Sequence, residues 1–91
     1  MDRETVKKLI ENTATNAYNT THSKKITNDD LYWEHTRKCD FLCYDCYDVG
    51  ISVYNDDVAF NEGTPWFEKV QYDNTERIIE LTKNLFSNTK D

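Results

Sequence analysis

Between Cys39 and Glu68 the chain carries seven acidic side chains, Asp40, Asp45, Asp48, Asp56, Asp57, Glu62 and Glu68, and no Lys or Arg. The same stretch holds seven aromatic residues, Phe41, Tyr44, Tyr47, Tyr54, Phe60, Trp66 and Phe67. Acid runs that stay unfolded are poor in aromatics, so this one is expected to fold. Outside the window ten acids face eleven bases, and the formal charge of −6 is therefore a local property of residues 39–68. A folded surface of that kind attracts basic partners and repels nucleic acid and anionic membranes.

A chain of 91 residues with 37% hydrophobic content fits a single domain over residues 1–91 with a thin core. Folding is expected to bury roughly 60–65% of the surface of the unfolded chain, and a homodimer interface would add to what so small a core supplies. No apolar run approaches the roughly 18 residues of a membrane span, so no membrane association is expected. Met1-Asp2-Arg3-Glu4 lacks the apolar stretch of a secretion signal, and the expected location is the cytoplasm. Three cysteines are an odd number for a disulfide framework and are read as thiols.

Val6, Leu9, Ile10, Ala14 and Ala17 recur at helical spacing, with Asp2 and Glu4 where a helix N-terminus favours anions. Tyr18 to Thr27, rich in Asn, Thr, Ser and Lys, reads as a polar loop. Asn28 is then expected to cap a second helix, with Asp29 and Asp30 in its first turn, Gly50 at its C-terminal cap, and Tyr32, His35, Cys39, Leu42, Cys43, Cys46 and Val49 along its seam. A competing reading makes Phe41 to Tyr47 a strand with Leu42, Tyr44 and Cys46 on one face. Ile51 and Val53 alternate with polar neighbours, Asn55-Asp56-Asp57 supplies a turn, and Val58-Ala59-Phe60 completes a short hairpin. Thr64-Pro65 reads as the opening of a helical element anchored by Trp66, Phe67 and Val70. Asp73-Asn74-Thr75-Glu76 resembles a capping box ahead of a terminal helix with Ile78, Leu81 and Leu85 on its apolar face. The expected fold class is α+β, with helices packed on a short antiparallel β-hairpin.

Cys39-x3-Cys43-x2-Cys46 has the spacing with which radical S-adenosylmethionine enzymes hold an iron–sulfur cluster. Those enzymes use a far larger barrel and usually place an aromatic just before the third cysteine, where this chain has Asp45. Zinc on His35, Cys39, Cys43 and Cys46 fails on the helical reading, which sets His35 and Cys46 about 16 Å apart at 1.5 Å per residue. The cysteines are therefore read as small buried hydrophobes, with no metal and no cofactor. His22, read as a loop histidine, and His35, read as half-buried, lack a nucleophile or orienting group that spacing places beside them. No catalytic residue is assigned.

The plainest role for the acids is a solvated face that keeps the chain soluble. What favours a partner-binding role is the base-free window with its aromatics, and the candidate binding residues are Asp40, Asp45, Asp48, Asp56, Asp57, Glu62 and Glu68 with Tyr44, Tyr47 and Tyr54. The Asn-, Thr-, Asp- and Tyr-rich composition, the length and the acidic window resemble the small host-takeover proteins of bacteriophages, most of all the anti-restriction nuclease proteins of T-even phages. That resemblance implies a dimeric DNA mimic that occupies the DNA-binding surface of a McrBC-type restriction endonuclease in the host cytoplasm. On this reading the chain is not an enzyme, its partner is a basic DNA-binding host protein, and it does not bind nucleic acid directly. The alternatives are an acidic module that holds a basic protein for transcription or assembly, an anti-CRISPR inhibitor, and a small cysteine-dependent metal protein.

Overall fold

The computed structural model describes residues 1–87. Helix α1 (Arg3–Thr21) is followed by a single 3-10 turn (Asn28–Asp30), five strands, β1 (Leu31–His35), β2 (Asp40–Tyr44), β3 (Tyr47–Val53), β4 (Asp57–Phe60) and β5 (Glu68–Gln71), and helix α2 (Thr75–Ser87). Each strand pairs antiparallel with its neighbours in sequence, so the sheet is a meander in the order β1-β2-β3-β4-β5. The class is α+β, with both helices against a five-stranded sheet rather than a lone hairpin.

Val6, Ile10, Ala14 and Ala17 place the buried stripe of α1, and the side chain of Asp2 caps it by accepting from Thr5 N at 2.8 Å. The helix continues past Tyr18, where a loop was expected. Thr20 and Thr21 satisfy their hydroxyls within the helix by donating to the carbonyls of Asn16 and Ala17, four residues back. His22 lies just beyond the helix, as a loop histidine, but is buried, its ring stacked on Tyr18 with centroids 3.7 Å apart.

The second helix expected over residues 28–49 does not form. Thr27, not Asn28, closes a capping box with Asp30, and the structure after it is strand. Leu31 and Leu42 lie on the buried face, Trp33 from the same face gives its indole N–H to Glu11 of α1 at 2.8 Å, and β-favouring Leu, Tyr, Trp, Phe and Cys fill the stretch. The competing strand reading is right in kind, but Cys46 lies in the turn. Asp45 and Cys46 take φ of 52° and 68° between the paired residues Tyr44 and Tyr47, the left-handed pair of a two-residue hairpin turn. The expected β3–β4 hairpin is present, with Val53 opposite Val58. Thr64-Pro65 opens a turn, not a helix: Thr64 N and Oγ1 both bond to Asn61 O, and Val70 is a buried residue of strand β5. The terminal helix forms as expected, although Asn74 rather than Asp73 receives Arg77 N, at 3.4 Å.

A bulge between Phe41 and Cys43 interrupts the β2–β3 register, and Gly50 meets it with a φ of 91°, where a Cβ would be strained. The core lies between the helices and one face of the sheet, with Ile10, Leu42, Ile51, Val58, Phe60 and Ile78 fully buried. Each such side chain contributes about 1.5–3 kcal/mol relative to exposure. Because α1 and α2 cover the same face, the opposite face of the sheet has no layer over it among the described residues. Alternation along each strand assigns that open face Tyr32 and Glu34 of β1, Phe41 and Cys43 of β2, Asp48 and Ser52 of β3, Asp57 and Ala59 of β4, and Lys69 and Gln71 of β5.

Candidate functional site

The seven acids of the window divide by what surrounds them. Asp40 faces the helices and is 6% exposed. Its carboxylate accepts from Lys7 Nζ at 3.1 Å and Arg3 Nη1 at 3.5 Å, and lies 2.6 Å from His35 Nδ1. Burial alone pushes this carboxyl up, but hydrogen bonds from His35 and Lys7 and their charges outweigh it, holding the pKa below the ordinary value. Lys7 also stands 5.2 Å over the Trp33 ring and 3.4 Å from Glu4. Asp40 therefore ties α1 to the sheet and presents nothing to a partner. Glu68 grips Arg77 with both oxygens, at 2.6 and 2.7 Å, which lowers its pKa. Its charge is matched within the chain.

The other five acids reach solvent at the sheet's ends and rim. Asp45 and Asp48 are exposed at the β2–β3 hairpin, Asp56 stands in the β3–β4 turn with the half-buried Asp57 opening β4, and Glu62 lies exposed in the β4–β5 loop. The seven residues of β3 separate the two turns, a span of roughly 20 Å at the rise of an extended strand. Asp48 is partly fixed, accepting from Gly50 N at 2.8 Å. Glu62 accepts from the Tyr54 hydroxyl at 2.8 Å, and this bond, then burial, raises the tyrosine pKa. Lys69 Nζ sits 5.4 Å from the centroid of the same ring, making a cation–π contact.

The three candidate tyrosines are not brought together. Tyr47 is 72% exposed beside the Asp45 turn. Tyr54 lies half-buried and reaches Glu62. Tyr44 points to the helical side against Tyr18, and its hydrogen bond to Tyr18, then burial, pushes its pKa up to about 12. Tyr44 is thus half-buried, on the face opposite to the open one.

Glu34, outside the window, is the acid that the helical reading missed. It is exposed on the open face, and its charge and that of Asp48 both act on Cys43. Reading Leu31–His35 as an alternating strand exposes it in the sequence. The open face thus bears Glu34, Asp48 and Asp57 against Lys69 alone among its described strand residues, with Glu62 at its border. Arg37 and Lys38, exposed in the β1–β2 turn, bound this acidic surface at the β3–β4 turn end.

Cys39 and Cys43 are buried and Cys46 is exposed. Cys43 lies on the open face and His35 bonds Asp40 on the helical face, so these ligand types do not converge. Among the described residues no group of three or more His, Cys, Asp or Glu side chains is placed to hold a metal ion. No helix of the described residues is long and apolar enough to cross a membrane.

In comparison with known proteins, no family model, no curated protein and no solved structure matches this chain.

Proposed function

We propose that the chain is a non-catalytic acidic mimic of DNA that occupies the basic nucleic-acid groove of a host protein, a restriction endonuclease of the McrBC type being the favoured target. The observation that carries this reading is the imbalance on the open sheet face and its border, where Glu34, Asp48, Asp57 and Glu62 stand against Lys69. The sheet fixes Glu34 on β1, Asp48 at the start of β3 and Asp57 at the start of β4, the last two at opposite ends of β3 and so roughly 20 Å apart. A groove lined with Lys and Arg for phosphates meets an array of anions that is already ordered, which spares the entropy of arranging a flexible ligand. Asp45 and Asp56 extend the array at its two ends, and Tyr47 and Tyr54 offer hydroxyls to the partner's cations. The chain itself does not bind nucleic acid, works in the host cytoplasm, and pairs as a homodimer that doubles the array.

A second reading, an acidic module that holds a basic protein for another purpose, draws support from Trp66, which is 76% exposed. A phosphate backbone carries nothing equivalent. The two readings part in one experiment. The partner, captured from host lysate on immobilised protein and identified by mass spectrometry, is loaded with fluorescent duplex DNA and titrated with the chain. Mimicry predicts competitive displacement, weaker as salt shortens the Debye length below about 10 Å, and no retardation of duplex by the chain alone. Direct DNA binding, or capture that leaves the partner's DNA affinity unchanged, overturns it.

A further inference from the structure

The β4–β5 loop carries two aromatic rings into solvent on a hydrogen-bonded backbone. Thr64 N and Oγ1 bond to Asn61 O at 3.1 and 2.7 Å, Trp66 N bonds to Thr64 Oγ1 at 3.1 Å, and Phe67 N to Thr64 O at 3.2 Å. Pro65 fixes a further backbone angle. Trp66 is nonetheless 76% exposed and Phe67 45% exposed. A groove of about 500 Å³ runs between this loop and α2, lined by Pro65, Trp66, Phe67, Arg77, Leu81 and Leu85 among others. Contiguous exposed apolar surface with a polar rim marks an interaction site, and aromatics beside a groove are the kind of residue that dominates binding energy.

The rim charge selects the occupant. Arg77 is the cation of the groove, and Glu68 holds it with two bonds while Glu80 takes a third at 2.8 Å. Two carboxylates thus answer one guanidinium, Glu76 and Glu80 line the adjoining hollow on α2 with Lys83, and Glu62 follows the lining residue Asn61, so four acids stand against Arg77 and Lys83 around the groove. A second copy seated on this groove would bring the same acidic rim against its own, so the proposed homodimer pairs through another surface. We infer that the groove receives an apolar side chain, aromatic or large aliphatic, from a basic protein segment whose flanking Lys or Arg meet Glu62, Glu76 and Glu80. This rests on the proposal that the partner is basic, though not on competition with DNA.

The probes are three blocked pentapeptides, Lys-Lys-Phe-Lys-Lys, Lys-Lys-Ala-Lys-Lys and Glu-Glu-Phe-Glu-Glu, titrated into the full chain and followed by amide chemical shifts and tryptophan emission. The basic Phe peptide is expected to bind about tenfold more tightly than the basic Ala peptide, shifting residues 64–67 and α2. Trp66→Ala, at an exposed loop site that leaves circular dichroism unchanged, should remove that tenfold difference. Equal affinity for the Phe and Ala peptides overturns the inference, as does equal affinity for the basic and acidic Phe peptides. So does a concentration-dependent dimer in sedimentation that Trp66→Ala dissolves, since a second copy would then be the occupant. If the peptide result holds while duplex displacement fails, the groove stands and DNA mimicry falls.

Discussion

Replacing Asp40 by Asn should cost this protein stability, not partner affinity, and the size of the loss follows from what the carboxylate touches. Lys7 is 8% exposed at its side chain, and its nearest anion is Asp40 at 3.1 Å. Removing one member of a buried pair typically costs about 3–5 kcal/mol, because the other charge is left uncompensated. Here Lys7 keeps the exposed Glu4 at 3.4 Å and the Trp33 face at 5.2 Å, so about 2–3 kcal/mol is the expected loss. For a chain of this length, whose total stability is about 5–14 kcal/mol, that is a fall in Tm of roughly 10–20 °C. Urea unfolding followed by circular dichroism at pH 7 measures it, with the m-value unchanged. The folded Asp40 pKa lies below its unfolded value, so the stabilisation is fully present above about pH 4 and is lost as pH falls through the folded pKa. Asp40→Asn should flatten that acid limb. Lys7→Met with Asp40→Leu should return to within about 1 kcal/mol of the parent, since a packed apolar pair can replace a buried ion pair. A loss below about 0.5 kcal/mol for Asp40→Asn, the size of an ordinary surface change, would refute the placement of this acid.

Cys46 holds a φ of 68° that favours glycine. Cys46→Gly should therefore raise stability by about 0.5–1 kcal/mol, read as a higher urea midpoint, whereas the β-branched Cys46→Val should lower it. Leu42→Ala, at a fully buried site, should cost about 2–5 kcal/mol in the same assay, while Tyr47→Ala, at 72% exposure, should stay within about 0.5 kcal/mol.

The legible parts of the fold were those whose signals are local. The stripe Val6, Ile10, Ala14, Ala17 marks α1, Asn55-Asp56-Asp57 marks a turn, and Ile78 with Leu81 and Leu85 marks α2. Residues 28–49 misled because Tyr32, His35, Cys39, Leu42 and Cys46 happen to fall at helical intervals while the turns that break them carry no Gly or Pro. Thr36 closes the first turn with its own hydroxyl, bonding Cys39 O at 3.0 Å. Asp45-Cys46 makes the second in left-handed geometry, where Asp-Gly is the usual signature. The site was legible as a charge imbalance but not residue by residue. Asp40 and Glu68 find their partners 33 and 9 residues away in sequence, and only the folded chain brings Lys7 or Arg77 to them.

The central claim is that carboxylates on the open sheet face and its border, and not the acidity of the chain at large, compete with DNA. It is tested by the displacement midpoint of duplex DNA from the captured partner, or from a McrBC-type endonuclease, for two variants of equal charge. One carries Asp48→Asn, Asp57→Asn and Glu62→Gln. The other carries Glu4→Gln, Asp2→Asn and Asp29→Asn, all exposed acids away from that face, with Asn keeping the cap that Asp2 gives α1. With both confirmed as folded, the first is expected to need about tenfold more protein, through slower association and faster dissociation, and the second to stay within about twofold of the parent. Equal midpoints for the two variants would contradict the account and leave the acids as a solubility surface.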